Sequence, residues 1–523
     1  MLVKVTQAFF FILLLPKWIE NARILAMLPT PSWSHNIVYH PVLRELSLRG
    51  HQVVSIIPDL INDTTLTNLT EIDVSFSYEI WHRFNKFTKE RLEGYSPIQS
   101  MYGMSQGLLE LCDRELDHPD VKRIIQDPNE HFDLVINEWL LFPSTFAFGT
   151  RFNCPIVGIS SFGLNGHGHD SIGNPHHPIY NPDFYLPYSH ELTFWQRVYS
   201  VIYAVWYRFY FHFKLLPQHD AIAKKHFGQD FPYLTDALKR ITVVFISENP
   251  VYTGAKPRVP ALIDISGLHF KEPKPLPKEL QELLDNAKQG FIYFSLGTNV
   301  KSKNLPKKKF NALIETFREL PYLVLWKFEL DNLENKPDNV VIRKWFPQQD
   351  LLGHPNLKLY LMQGGLQSAE EAIHKKVPMI AIPFFADQEI NAARYIYHGI
   401  GDRLGFDELD DKNIIKAKIL NIINDNRYKE RITELSELMW DTPISSLDRA
   451  VWWIEFVLRH KGLPKLRSAT ADMSWIQLLL IDVILFFLSC AIGGILILYY
   501  SFKLVCKLLS KNRKVSSKKV KRN

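Results

Sequence analysis

Several residues of this 523-residue chain have types and spacings that could do chemistry together. Gly364-Gly365 joins the end of an apolar, strand-like run to the start of a helix-like one. Glycines there let the backbone approach a diphosphate, and the unpaired N–H groups at a helix start point toward it. Ser295 and Thr298, in the loop after another apolar run, can donate hydroxyl hydrogen bonds from the facing side. Trp345 offers a flat face for a pyrimidine to stack on, which contributes about 1–3 kcal/mol per base. Each of these residues alone is an ordinary loop residue. The set, in this order, points to a site for a diphosphate-linked nucleotide.

The elements that must hold such a site can be read on either side of it. Arg23–Leu28 is a short apolar strand, followed by the turn 29–34 and a helix from about His35. Val38, Val42 and Leu46 share one face of that helix and Gly50 stops it, before the strand Gln52–Ile57. This β-α-β unit implies a parallel sheet, and it lacks a G-x-G-x-x-G dinucleotide fingerprint. Further strands are expected at Leu134–Asn137, Ile156–Ile159 and Ile241–Ile246. The proline-rich stretch 271–277 prevents regular structure and serves as a linker. The second half alternates again, with strands at Phe291–Phe294, Tyr322–Trp326, Val340–Arg343, Lys358–Leu361 and Met379–Ile382. Two α/β halves joined by a linker imply a cleft between them, where ligands bind. The aromatic stretch Phe194–Phe213 has two readings, a helix buried against its own domain or one lying on a membrane surface.

Composition narrows the function classes. An apolar fraction of 46% with 13% aromatics supports sizeable cores and excludes a disordered scaffold. The net charge of +6 is concentrated in residues 503–523, which carry nine Lys and Arg and no acid. Without them 52 bases face 55 acids, so no basic face for nucleic acid is expected. Four cysteines make no disulfide framework; Cys112 and Cys154 are expected as buried free thiols rather than a pair. No Cys/His spacing suits zinc, and Asp410-Asp411 reads as helix capping.

Both ends suggest a membrane. Lys4 followed by the apolar run 8–15 and Asn21-Ala22 has the order of a secretory signal peptide, with cleavage expected near Ala22. The stretch Val483–Tyr500 is uncharged and, at about 1.5 Å per residue, long enough for a hydrocarbon core. Trp475 and Tyr499-Tyr500 fit the interfacial aromatic belts, and the basic tail then belongs to the cytoplasm. Everything before Trp475 is consequently expected to be lumenal, where Asn62 and Asn68 would be N-glycosylation acceptors. Lys519 and Lys521 near the end are placed like the dilysine retrieval signal of endoplasmic-reticulum type I proteins.

The stretch Trp345 to Gln388, with its W-F-P-Q-Q-D-L-L-G-H-P, G-G-L-Q-S and I-P-F-F-A-D-Q segments, resembles the signature of the UDP-glycosyltransferases. F-S-L-G-T at 294–298, G-L-H at 267–269, L-D-R-A-V-W-W-I-E-F at 447–456 and the anchor resemble that family's animal, membrane-anchored branch. The resemblance covers essentially the whole chain. It implies an α/β fold of GT-B type, two Rossmann-like domains facing a cleft, plus a C-terminal transmembrane helix. The expected division is signal peptide 1–22, acceptor-binding domain 23–265, linker 266–280 and UDP-sugar-binding domain 281–440. Helices returning to the first domain (441–474), a transmembrane helix (475–500) and a basic cytoplasmic tail (501–523) complete it. The resemblance further implies that Gln348 and Glu371 address the ribose, that Asp387 and Gln388 grip the sugar hydroxyls, and that Ser368 belongs to the donor site. Two positions depart from the family pattern: Gln363 stands where a histidine is usual, and Gln367 where an asparagine is usual. Gln363 can donate to a diphosphate without adding charge, which weakens a donor site by about tenfold.

The family's catalytic base falls on His35, and the carboxylate that orients it falls on Glu138, where aspartate is frequent. Single displacement with inversion follows, with no metal or other cofactor expected. Glucuronyl-selective members have an arginine near the position of Ser247, so glucose is the expected sugar over glucuronic acid. The expected acceptors are small lipophilic hydroxyl compounds, in the manner of detoxifying conjugation. Transfer to a membrane lipid, and a binding protein with a relict site signalled by Gln363 and Gln367, stand as the alternatives. Oligomeric state is left open.

Overall fold

The computed structural model describes residues 21–83, 96–189 and 191–520, with residues 512–520 described by their backbone alone. The expected signal peptide therefore lies outside the described residues save for its last two positions, and so do residues 521–523. Residues up to Ser468 form one compact unit, and those from Ala469 form a second.

The first unit contains two α/β lobes. In the N-terminal lobe the strands are β1 (Arg23–Met27), β2 (Gln52–Ile57), β3 (Leu69–Asp73), β4 (Leu134–Glu138), β5 (Ile156–Ile159), β6 (Ile241–Ile246) and β7 (Leu262–Asp264). They lie in the order β3-β2-β1-β4-β5-β6-β7, all parallel. Alternation along β1 explains why its sequence is an unbroken apolar run: Ile24 and Ala26 enter one core, Leu25 and Met27 the other. A sheet covered on both faces demands this pattern. One cover is helix Trp33–Leu48 together with the late helix Ser446–Arg459, whose Ala450, Val451, Ile454 and Val457 share a core with Ile24 and Val38.

The C-terminal lobe repeats the plan with β8 (Phe291–Ser295), β9 (Leu323–Lys327), β10 (Val340–Arg343), β11 (Leu357–Met362), β12 (Met379–Ala381) and β13 (Gly401–Arg403). Their order is β10-β9-β8-β11-β12-β13, again all parallel. Phe291 and Tyr293 face one core, Ile292 and Phe294 the other. Each sheet reverses its winding once, between β1 and β4 and between β8 and β11. Ligands of open α/β sheets bind beyond the strand ends at these reversals.

The differences from expectation have local causes. The first helix begins at Trp33, two residues before His35, with Ser32 as its N-cap. Strands β3, β7 and β13 had no counterpart in the apolar pattern, because they lie toward the sheet edges and carry polar residues. Helix Lys278–Asp285 starts inside the expected linker, directly after Pro277, whose ring fixes a φ of −51° suited to the entry. The aromatic helix Phe194–Tyr210 passes through a π-turn, Phe211–Leu215, into helix Leu216–Phe227. Pro217 lies just beyond the π-turn and has no N–H to continue an α-helical ladder.

In the second unit the helix does not run from Trp475 to Tyr500. A one-turn helix, Trp475–Leu478, is closed by a capping box between Ser474 and Gln477. Leu480 then turns left-handed (φ 53°), and a new helix runs from Ile481 to Val520. Asp482 sits in its first turn, where a negative charge suits the helix dipole. The stretch Ile481–Lys511 is long and apolar enough to cross a membrane, and the helix continues into the basic tail.

Candidate active site

The loop after β1 and the end of β4 meet at the N-terminal reversal. His35, in the first turn of its helix, donates its Nδ1–H to Glu138 Oε1 at 2.8 Å. Glu138 ends β4 and is fully buried. Its Oε1 also accepts the Tyr39 hydroxyl (2.8 Å), and its Oε2 accepts the Thr30 N–H (3.0 Å). Tyr39 follows His35 by four residues, so one helical turn aims both at one carboxylate. Because a carboxylate only accepts, Nδ1 carries the proton and Nε2 keeps its lone pair. Phe162 packs edge-on against the imidazole at 5.4 Å.

The C-terminal reversal supplies the other half. Trp345 is 55% exposed between β10 and the next helix, which leaves a ring face open. Glu371, on helix Leu366–His374, is buried, and both its oxygens accept amides: Oε2 from Gln348 Nε2 (2.7 Å) and Oε1 from Gln349 Nε2 (2.9 Å). Gln348 Nε2 also donates to Ser368 Oγ at 3.0 Å. Burial pushes the Glu371 carboxyl up to about 7, against the two amides and Lys271, which pull it down. Gly365 caps helix Leu366–His374, and Gly364 has φ +93°, a conformation that favours glycine, with the Gln388 carbonyl 3.1 Å from where a Cβ would stand. Ser295 Oγ accepts the Gly297 N–H (3.3 Å), shaping the loop that also presents Thr298. Asp387 accepts Asn391 Nδ2 at 2.7 Å, and Gln388 Oε1 accepts the N–H groups of Phe384 and Phe385. Burial raises the Asp387 carboxyl, and His35 is among the groups that pull it back down.

One cavity of about 390 Å³ between the lobes brings these groups together. His35, Ser295, Thr298, Trp345, Gln348, Gln363, Gly365, Gln367, Ser368, Glu371, Asp387 and Gln388 all line it. Glu138 lies behind His35 and Gly364 behind Gly365. One part of the remaining wall is apolar, with Trp33, Trp81, Met104, Leu141, Phe184 and Tyr185, and another is charged, with Lys271, Lys274, Lys327, Glu272 and Asp350. The two unusual glutamines behave differently. Gln363 packs under the Gly297 loop with its Oε1 buried and without a partner. Gln367 turns across the cleft, its Nε2 donating to the Ser161 carbonyl at 2.5 Å.

Ser247 does not line the cavity. Its hydroxyl donates to Glu370 Oε1 at 2.7 Å, a contact between the lobes that any sugar would meet only indirectly. Asp411 caps its helix by accepting the Asn413 N–H, and Asp410 pairs with Lys308 and Lys309. Cys112 and Cys154 are free and buried. Asn62 and Asn68 are exposed beside β3.

Three residues escaped the sequence reading. Tyr39 and Asn391 each stand four residues beyond a site residue on the same helix, a spacing that could have found them. Asn299 could not be found in this way. It donates to Ser32 Oγ at 3.0 Å across the cleft, and its Oδ1 accepts the Trp81 indole at 3.4 Å.

Two all-parallel α/β lobes facing one cavity, with a histidine–carboxylate pair on one and a glycine turn at a helix start on the other, have the architecture of a GT-B glycosyltransferase. The solved glycosyltransferase of kitacinnamycin shares this fold at a TM-score of 0.54 and 14% identity, covering 86% of this chain and 100% of that one. The chain belongs to the family described as "UDP-glucoronosyl and UDP-glucosyl transferase", which matches residues 23–516. It is 34% identical to UDP-glucosyltransferase 2 of Dactylopius coccus over 96% of both chains. It is also 31% identical to UDP-glucuronosyltransferase 2B7 of Homo sapiens over 88% of both. The protein is therefore an enzyme that transfers sugars from UDP.

Proposed function

We propose that this UDP-glycosyltransferase moves glucose, with inversion, onto hydroxyl groups of small lipophilic acceptors. The observation that carries the reading is the 2.8 Å contact of His35 with Glu138 at the wall of the cavity that Trp345, Glu371 and Asp387 also line. His35 Nε2 takes the proton from the acceptor hydroxyl, and the freed oxygen attacks the anomeric carbon from the face opposite UDP. The bond from that carbon to the diphosphate breaks, and UDP leaves with the electron pair. Glu138 stabilises the imidazolium that forms. Trp345 stacks on uracil, Glu371 with Gln348 receives the ribose diol, and Asp387 with Gln388 holds the hexose. Ser295, Thr298, Gln363 and the N–H groups that follow Gly364-Gly365 receive the diphosphate, with Ser368 supporting Gln348. No metal is needed for a leaving group held in this way.

Glucose is favoured because the relative at 34% identity is named UDP-glucosyltransferase 2, and the Asp387 carboxylate in the cavity suits hexose hydroxyls. The apolar acceptor wall favours lipophilic substrates. Ile481–Lys511 anchors the protein in a membrane with the body on the lumenal side and the basic tail in the cytoplasm, consistent with acceptor asparagines at 62 and 68. The test is UDP release from membranes carrying the full chain, with UDP-glucose or UDP-glucuronate and a panel of phenolic, steroidal and lipid acceptors. Turnover with UDP-glucose that disappears in His35→Ala is expected. A strong preference for UDP-glucuronate would overturn the sugar assignment, and full activity in His35→Ala would overturn the base.

A further inference from the structure

Helix Phe194–Tyr210, with its π-turn, turns Tyr203, Tyr207, Tyr210 and Phe211 inward and several other large apolar groups outward. Tyr203, Tyr207 and Tyr210 are buried, whereas Trp195, Ile202, Val205, Phe209 and Phe213 are more than half exposed, Trp195 and Phe213 by three quarters. The exposed residues recur at about one helical turn and form a stripe about 27 Å long at about 1.5 Å per residue. Soluble monomers rarely leave so continuous an apolar face in water.

We propose that this stripe is a lipid-facing surface on which the globular unit rests against a bilayer. The inference rests on the anchor reading of Ile481–Lys511, since a span in the same chain holds the body at a membrane whatever the orientation between them. Two features select lipid rather than protein as the occupant. Trp and Phe on one helical face are the side chains that partition into the headgroup region. The charges of the segment also suit it. Arg208 is taken up by Asp170, while Arg197 and Lys214, both exposed, stand near the two ends of the stripe against the single acid Glu191. Such cations meet anionic headgroups while their stems lie along the apolar face. The inner face gives the contact a purpose. Tyr203, Tyr207 and Tyr210 pack in the same core as Trp81, Phe184 and Tyr185, which line the acceptor side of the cavity. Lipid contact would set that wall about one helix diameter, roughly 10 Å, from the reservoir in which lipophilic acceptors dissolve.

The test uses the full chain in lipid nanodiscs containing anionic lipid, in a Cys490→Ser, Cys506→Ser background. Nitroxides attached at Ile202→Cys and Phe209→Cys are read for collision with oxygen, which concentrates in lipid, and with a nickel chelate, which stays in water. Leu438→Cys, exposed on the other lobe, sets the aqueous value, and Leu488→Cys in the span sets the lipid value. Unchanged UDP affinity marks folded variants. Oxygen collision raised toward the Leu488 value, with nickel collision lowered from the Leu438 value, is expected at both stripe positions. Aqueous values at Ile202 and Phe209 with lipid values at Leu488 overturn the surface while leaving the anchor. Exclusion of both probes means that a second copy covers the stripe, and also overturns it. Aqueous values at Leu488 overturn the anchor and this proposal together.

Discussion

Glu138 in the N-terminal lobe and Glu371 in the C-terminal lobe are both buried carboxylates, yet they are held in opposite ways. Glu138 has three donors, of which His35 can become a cation as it takes a proton. Glu371 has two neutral amides, and burial pushes it up to about 7. The first arrangement suits a group whose task is to stabilise a charge that forms and vanishes in one reaction cycle. The second leaves the nucleotide side poised to titrate near neutrality. On the proposed mechanism the N-terminal lobe holds its carboxylate against a group that becomes a cation, whereas Glu371 is bonded by neutral amides with Lys271 only pulling from farther off.

The largest effect that can break this contrast is loss of the base. His35→Ala should lower kcat by about 10²–10⁴-fold, with UDP affinity unchanged, because the donor groups lie on the other lobe. UDP-release kinetics and a UDP titration read the two quantities separately. Glu138→Gln should cost less, about 10²-fold in kcat. An amide there can present an N–H to Nδ1 and favour the tautomer with its lone pair on the wrong nitrogen. Steady-state kinetics beside a thermal melt tell this from misfolding: an unchanged kcat in a stable variant removes Glu138 from its role.

The same contrast shows what the sequence could reveal. The core strands were legible to within one residue at each end, because a sheet buried on both faces leaves an apolar run that little else produces. Strands β3, β7 and β13 were not, since they are short or mixed and carry acids, whereas the edge strand β10 keeps the apolar run Val340–Ile342 and was read. The donor residues were legible as a set because they sit in short segments bracketing single turns, and the cavity gathers them. Their partners were less so. Gln348 and Gln349 reach Glu371 over more than twenty residues of chain, Gln367 reaches Ser161 in the other lobe, and Ser247 turns to Glu370 rather than the cavity. Contacts between lobes depend on how two sheets approach, and no periodicity encodes that.

A middle-sized effect lies at Glu371. An ionised carboxylate should bind ribose hydroxyls better than a protonated one, so UDP-glucose affinity is expected to rise as pH passes through about 7. Glu371→Gln should flatten that rise and weaken binding by about tenfold above it, since hydrogen bonds to charged groups exceed neutral ones by about 1.4 kcal/mol. Stability should move the other way. Below the ordinary glutamate value of 4.5, Glu371 is protonated in folded and unfolded chains alike. Between there and about 7 only the unfolded chain ionises, so stability falls as pH rises through this window. Neighbouring Glu370, pushed up to about 8, adds a fall of its own, and His269 and Lys271 face the same cluster. The difference between wild type and Glu371→Gln in melts from pH 4 to 8 therefore isolates Glu371. Parallel curves would show that the donor lobe does not titrate there.

The smallest effect sharpens the contrast from the other direction, by adding a titratable donor beside the Gly297 loop, whose carbonyl already accepts from Lys327 Nζ at 2.8 Å. Gln363 lies under the Gly297 loop with its Oε1 buried and unpartnered, so the native side chain leaves an acceptor facing no donor. Gln363→His removes that oxygen and places an N–H, charged at acid pH, beside the turn where the diphosphate is expected. The gain in UDP affinity should stay below about tenfold, because a charged donor replaces a neutral one. It should be larger at pH 6 than at pH 8, and absent for uridine, which has no diphosphate. Calorimetric titration with the two ligands at both pH values separates the terms. An equal gain for uridine would mean that the substitution acts by repacking under Gly297, and position 363 would then serve the packing of that loop rather than phosphate binding.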